Sequence, residues 1–285
     1  MFAWPPNLSE LRVDFKQQRA TPCRAEHAWL RADFGSTFAF VVNPVPPAPR
    51  ALSLVLESAG PLSKNVRSMI FRTHDAARVD WLAGQHIELL VPGATGQLAQ
   101  KRDYSIATAP HPQRPDRFEI AVTRVDEGPA SQVLHALPIG ATLAAYGPKG
   151  AFRFRPEPRV PVLFVAHGTG LSPLRAMLLE ALDDAPPMTL LAGFRTPEDV
   201  LWGDQLRALA AEHPTAFTFA PTLSRPPSEW TGLRGRVQAH VAQYVPADRR
   251  MQAYLCGLRE MTDDVTERLI ALGVGEKSIF IEEYD

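Results

Sequence analysis

The run Arg102-Asp103-Tyr104-Ser105 combines three side chains able to grip a phosphorylated heterocycle. An arginine at a strand start can pair with a phosphate through two parallel N–H bonds. A tyrosine two residues on shares the same strand face, where its ring can stack on a flat heterocycle. The serine offers a hydroxyl to a ring nitrogen. Further along, Gly128-Pro129-Ala130-Ser131 precedes a short helical stretch whose N–H groups could bind phosphate oxygens. Gly168-Thr169-Gly170-Leu171-Ser172-Pro173 follows a buried strand and opens a helix, the context of a dinucleotide-binding turn, although Pro173 replaces the third glycine of that fingerprint. Ser224-Arg225, with Arg234 and Arg236 one loop later, could hold a ribose 2′-phosphate. Cys256-Gly257 stands at the end of another strand, and Glu282-Glu283-Tyr284 lies next to the chain end. Each motif has a plainer alternative: a surface arginine and a core tyrosine, a helix cap, a glycine turn, solvated loop charge, a small buried thiol.

The elements needed to position these residues fall into two halves. Residues 51–155 read as six short strands, 51–57, 66–71, 86–91, 104–107, 118–123 and 142–146, separated by turn clusters such as Pro92-Gly93 and Gly147-Pro148. This spacing predicts a small antiparallel barrel. One helix, 131–137, interrupts it, with Ser131 as the expected N-cap. Residues 156–285 alternate strands at 162–166, 189–192, 216–223, 252–256 and 278–282 with helices at 173–182, 197–212, 236–244 and 262–272. That alternation predicts a parallel sheet covered by helices. Residues 1–50 form an extension ending in a Pro-rich linker, 41–50.

Composition removes whole classes. With 45% hydrophobic and 21% charged residues, the chain is neither disordered nor a coiled coil. Lys+Arg is 30 and Asp+Glu is 31, so the chain is no broadly basic nucleic-acid binder. No apolar run reaches the ~20 residues of a membrane helix, and the N-terminus has no secretory pattern. The two cysteines, Cys23 and Cys256, fall short of the four thiolates of a ferredoxin-type cluster, and no metal-ligand spacing is present. Low cysteine use suits a reducing, cytoplasmic setting. Residues 1–155 carry 18 basic and 13 acidic residues, the remainder 12 and 18. A basic first half could dock an acidic partner, or be ordinary solvated surface.

Taken in order, R-x-Y-S in a barrel, G-x-x-S before a helix, G-T-G-x-S-P after a strand, Ser-Arg, C-G-x-x-x-M and a near-terminal E-x-aromatic resemble the ferredoxin–NADP reductase family, over residues 50–285. The resemblance implies an FAD-binding β-barrel, 51–155, followed by an NAD(P)-binding α/β domain, 156–285. Arg102 would neutralise flavin phosphates, Tyr104 would pack on the isoalloxazine, and Ser105 would hydrogen-bond near N5. Val122, Thr123 and Ser131 would line the ribityl chain and pyrophosphate. Thr169, Gly170 and Arg195 would meet the nicotinamide nucleotide, NADPH or NADH. Ser224, Arg225 and Arg234 match the places that hold a 2′-phosphate. Cys256, followed by Gly257, would sit beside nicotinamide C4 and shape that pocket without forming a covalent bond. Glu282 and Tyr284 match the family's carboxylate and stacking aromatic. His167 stands where glycine is common, and Asp285 follows an aromatic that is last in several members.

The implied activity is hydride transfer from NAD(P)H to FAD, then single-electron delivery to a separate ferredoxin or oxygenase component. A flavin or quinone reductase with a small diffusible acceptor is the alternative. A non-catalytic subunit with a vestigial site is a third reading.

Overall fold

The computed structural model of the protein describes residues 47–93, 99–157, 159–182 and 186–284, within the unit Pro46–Asp285. The expected extension lies almost wholly outside the described residues, as do Cys23 and Asp285.

The first half is one antiparallel sheet of β1 (Arg50–Pro61), β2 (Val66–Thr73), β3 (His86–Val91), β4 (Gln100–Ser105), β5 (Arg117–Thr123) and β6 (Thr142–Lys149), in the order β4-β3-β6-β1-β2-β5. β3 alternates half-buried and buried residues, the period that puts every second side chain inside. Leu54, Leu56, Met69, Phe71, Ile87, Leu89 and Ile120 are fully buried in this core. A bulge at Leu56/Ser58 bends β1. The two edge strands meet where Ile106 pairs antiparallel with Ile120 and the Ala107 N–H donates to the Glu119 carbonyl at 2.8 Å. This seam brings the two edges of the half-barrel together at one end. The strand expected at 104–107 thus starts earlier, and residues 106–107 leave the β3 ladder to pair across the seam.

Helix α1 (Pro129–Ala136) begins before the expected Ser131. Pro129 takes the first helical position, where its fixed φ and missing N–H cost nothing, and Gly128 is the cap. Ser131 is therefore a first-turn residue rather than the N-cap: its Oγ accepts from the Val125 N–H at 3.0 Å and lies 2.8 Å from the Gly128 carbonyl. Arg67 closes the other end, its Nη1 donating to the carbonyls of Leu134, His135 and Leu137 at 2.8–3.1 Å.

The second half is an all-parallel sheet in the order β10-β9-β8-β7-β11-β12. Its elements are β7 (Val162–His167), α2 (Leu171–Ala181), β8 (Met188–Phe194), α3 (Gly203–Glu212), β9 (Phe217–Leu223), β10 (Leu233–Arg234), β11 (Gln252–Leu258), α4 (Arg259–Ala271) and β12 (Ile279–Tyr284). Five of β7's six residues are buried, as a central strand covered on both faces requires. The chain winds outward from β7 to β10, then returns to β11 on β7's other side. The crevice at that switch point is where ligands bind in such sheets.

Two expected helices differ. The stretch 197–212 is broken: a capping box between Thr196 and Asp199 closes one short turn, and α3 starts only after Trp202, whose φ is 49°. The stretch 236–244 forms two tight turns, Val237–Ala239 and Val241–Tyr244, with Val237 and Val241 both in the core. Branched valines on such tight turns lose little of the rotamer freedom a longer helix would cost them.

Candidate functional site: the junction of barrel and sheet

Ser105 ends β4, buried, on the side of the barrel that faces the sheet. Its Oγ lies 2.6 Å from the Tyr284 hydroxyl and 3.4 Å from Glu282 Oε2. The spacing Glu282-x-Tyr284 explains how one strand supplies both groups, since alternate residues of β12 share a face. In the parallel register Cys256 of β11 stands opposite Glu282, and its thiol hydrogen-bonds Tyr284. Four residues separated by up to 179 positions meet in one cluster.

Burial dominates its electrostatics. It raises the Glu282 carboxyl to about 7, opposed by the Ser105 hydrogen bond and assisted by the negative charge of Asp103. Burial also holds the Cys256 thiol well above its ordinary value, with Glu282 adding to the effect. A thiol so held is a poor nucleophile at neutral pH. Tyr284 is raised in the same way. Tyr104, half-buried on β4, is pushed up to about 12 by burial, with Arg102 opposing.

Arg102 is exposed on β4; its guanidinium donates to the Lys101 carbonyl at 2.8 Å and to Gln100 Oε1 at 2.9 Å, and no carboxylate among the described residues pairs with it. Val122 is buried in β5, its carbonyl bound by His135. Thr123 Oγ1 lies 3.4 Å from Thr169 Oγ1, which joins the end of β5 to the Gly168–Gly170 turn. The first turn of α1 has no side-chain cap, and a Cβ on Gly128 would lie 2.9 Å from Val125 and 3.0 Å from Ser131 Oγ. An uncapped helix start is a donor set suited to a phosphate. The chemistry of these side chains is compatible with FAD: Arg102 and the start of α1 would serve its phosphates, and Tyr104 and Ser105 its ring.

On the sheet side, a Cβ at Gly170 would come within 2.2 Å of the Cys256 carbonyl oxygen, so only glycine lets this turn pack on β11. Gly168 adopts φ +55° with open space beside it. Next to the turn is a groove of about 410 Å³ lined by His167, Arg195, Ser224, Arg225, Arg236 and Gln238, among others. Burial and the charges of Arg195 and Arg236 lower the His167 pKa. Gln238 Oε1 is buried and takes no hydrogen bond, an acceptor awaiting a donor. A groove rich in guanidinium groups with one spare acceptor fits a phosphorylated nucleoside.

Arg234 is not among the lining residues. Its Nη2 donates to the carbonyls of Pro227, Ser228 and Trp230 at 2.7–3.2 Å. Arg236 lines the groove instead, 3.0 Å from Glu260 Oε1. The motif offered both arginines and the resemblance pointed to Arg234; strand alternation gives residues 234 and 236 the same face, so it could not tell them apart. Gln238 carried no signal, because an isolated glutamine has no spacing to read.

Two family models match in the order of the two halves: an oxidoreductase FAD-binding domain over residues 53–154 and an oxidoreductase NAD-binding domain over 164–267. Ferredoxin–NADP reductase B of Sorangium cellulosum is 40% identical over 239 residues, 81% of this chain and 96% of that protein. The phenol 2-monooxygenase reductase component DmpP of a Pseudomonas species is 33% identical over 71% of this chain, which spans 57% of that longer protein. Among solved structures, the Amycolatopsis cytochrome P450 reductase GcoB superposes with a TM-score of 0.75 at 25% identity, over 87% of this chain and 73% of that one. With the cluster at the domain junction and the cationic groove beside it, these matches identify the chain as a member of the ferredoxin–NADP reductase family, an NAD(P)H-to-FAD oxidoreductase.

Proposed function

We propose that this oxidoreductase delivers its electrons one at a time to a separate ferredoxin-type protein or oxygenase component, drawing them from NADPH in preference to NADH. The observation that carries the reading is the Ser105–Tyr284–Cys256–Glu282 cluster, which joins the barrel strand expected to face a flavin ring to the sheet strands expected to face a nicotinamide. When bound, FAD accepts a hydride and releases electrons singly. Ser105 would offer its hydroxyl to the reacting edge of a bound flavin. Glu282, protonated in a good share of molecules near neutral pH, supplies or takes a proton through Ser105. Cys256, neutral, walls the nicotinamide position. Tyr284, held here by Ser105, would cover a bound flavin ring and would have to withdraw to admit a nicotinamide. Ser224, Arg225, Arg195 and Arg236, which line the groove, would grip the nucleotide's phosphates.

The cysteine count supports an acceptor cluster held outside these residues, since two cysteines fall short of the four thiolates of a ferredoxin-type cluster. Residues 51–155 carry 12 basic and 9 acidic residues, which favours an acidic partner. Names of relatives point the same way: one is a ferredoxin–NADP reductase and another an oxygenase reductase component. The test is anaerobic reduction of the purified yellow protein by each nucleotide, followed by ferredoxin reduction at rising ionic strength. Bleaching, with ferredoxin rates that fall steeply as salt rises, is the expected result. Salt-insensitive turnover with free flavin or quinones, and none with ferredoxins, would assign a small diffusible acceptor instead. No helix among the described residues is long and apolar enough to cross a membrane.

A further inference from the structure

A second polar cluster joins barrel to sheet, and nothing in the hydride-transfer chemistry uses it. Glu119 of β5 and Arg175 of α2 are both buried, 8% and 5% exposed. Arg175 Nη1 lies 3.0 Å from Glu119 Oε2 and 2.6 Å from the Ala107 carbonyl oxygen, while its Nε donates to Gln205 Oε1 at 2.9 Å. Glu119 Oε1 accepts from Ser68 Oγ at 2.6 Å and from Trp202 Nε1 at 2.9 Å. The Arg175 guanidinium sits 4.6 Å above the Trp202 ring, a cation–π contact away from water. Ser68, Ala107 and Glu119 belong to the barrel; Arg175, Trp202 and Gln205 belong to the sheet half.

The location gives the cluster a consequence. Ala107 and Glu119 are the residues that close the barrel seam, and Ala107 is two residues after Ser105. Arg175 lies in α2, which opens directly after the Gly168–Gly170 turn. One guanidinium thus ties the strand end bearing Ser105 to the helix that follows the nucleotide-binding turn. The left-handed backbone of Trp202, which breaks the expected helix 197–212, accompanies an indole engaged with Glu119. A buried ion pair of this kind gives geometric definition more dependably than net stability, and hydride transfer depends steeply on alignment of the two partners.

We propose that Glu119, Arg175 and Trp202 form a clamp that fixes the approach angle between the flavin-binding and nucleotide-binding halves, acting as positioning residues for hydride transfer. This rests on the two-domain reading above. The test uses the flavin-loaded full chain as Glu119→Gln/Arg175→Met, which removes both buried charges together, and as Arg175→Lys, which keeps the charge and loses the fork. Three quantities are read: NADP+ affinity, the long-wavelength nicotinamide–flavin charge-transfer absorbance, and the rate of flavin reduction. Hydrogen exchange in α2 of the flavin-free protein adds a readout independent of turnover.

The double variant is expected to keep its nucleotide affinity within about twofold, to lose most of the charge-transfer band, to exchange faster in α2, and to be reduced about tenfold more slowly or worse. Arg175→Lys falls between it and the parent. An unchanged band and reduction rate in either variant overturns the proposal. A parent protein that neither NADPH nor NADH bleaches would instead sink the underlying hydride-transfer reading, so the two failures are distinguishable.

Discussion

Two glutamates sit where barrel meets sheet, Glu119 buried and Glu282 half-buried, and they are provided for very differently. Glu119 receives a guanidinium, an indole N–H and a serine hydroxyl at 2.6–3.0 Å. Glu282 receives one serine hydroxyl at 3.4 Å and has Asp103 for electrostatic company. The first is a carboxylate saturated with donors and suited to hold a shape. The second lacks donors, so burial raises its pKa to about 7 and makes it a group that exchanges a proton near neutrality. The two side chains differ in how many donors reach them.

The comparison breaks most visibly if Arg175→Met proves mild. That substitution leaves the Glu119 charge buried beside an apolar side chain and should cost about 3–5 kcal/mol in urea unfolding; adding Glu119→Gln should recover much of the loss. Next in size is Ser105→Ala. Flavin reduction followed by stopped flow should slow about ten- to hundredfold, the worth of one hydrogen bond to a developing charge, while the thermal midpoint moves little.

A third outcome concerns pH. The folded Glu282 binds a proton at pH values where the unfolded residue, near its ordinary 4.5, does not. Its contribution to stability is therefore fully present below about 4.5 and lost as pH rises through about 7. Glu282→Gln should flatten that segment of the stability–pH curve, measured between about pH 4.5 and 8; an unaltered slope would remove Glu282 as the titrating group.

The smallest effect sharpens the same contrast among arginines. Arg234 is saturated by three carbonyls, whereas no carbonyl or carboxylate among the described residues takes the Arg225 guanidinium. Arg225→Ala should lower the preference for NADPH over NADH about tenfold in kcat/KM, the worth of one charged hydrogen bond. Arg234→Ala should change it less.

Much of this architecture is legible in the sequence because it depends on period and punctuation. β3 alternates cleanly, β7 is continuously apolar, and glycine and proline mark the turns between them. The cluster of Ser105, Cys256, Glu282 and Tyr284 is legible because its members fall at strand ends in a fixed order. Failures came where tertiary contacts overrode local pattern. Nothing local reveals that Trp202 turns left-handed to reach a carboxylate across the junction. Ser131 looks like a cap until Pro129 claims the first helical position. Glu119 and Arg175 are 56 residues apart, and each reads alone as a stray charge. Their signal was faint but physical: an acid inside the apolar strand Arg117–Thr123 and a base inside the apolar helix Leu171–Ala181 each demand a partner, and the two are opposite in sign.

The seam at Ala107 and Glu119 also bears on how such a protein can evolve. The bond that joins the barrel edges and the bonds that seat α2 use the same two residues, Ala107 and Glu119, through different atoms, so the halves are not freely interchangeable modules. A recombinant that joins this barrel to a foreign nucleotide-binding half inherits an acid with no matching base. Successful chimeras should be those whose crossover carries both members together, or neither.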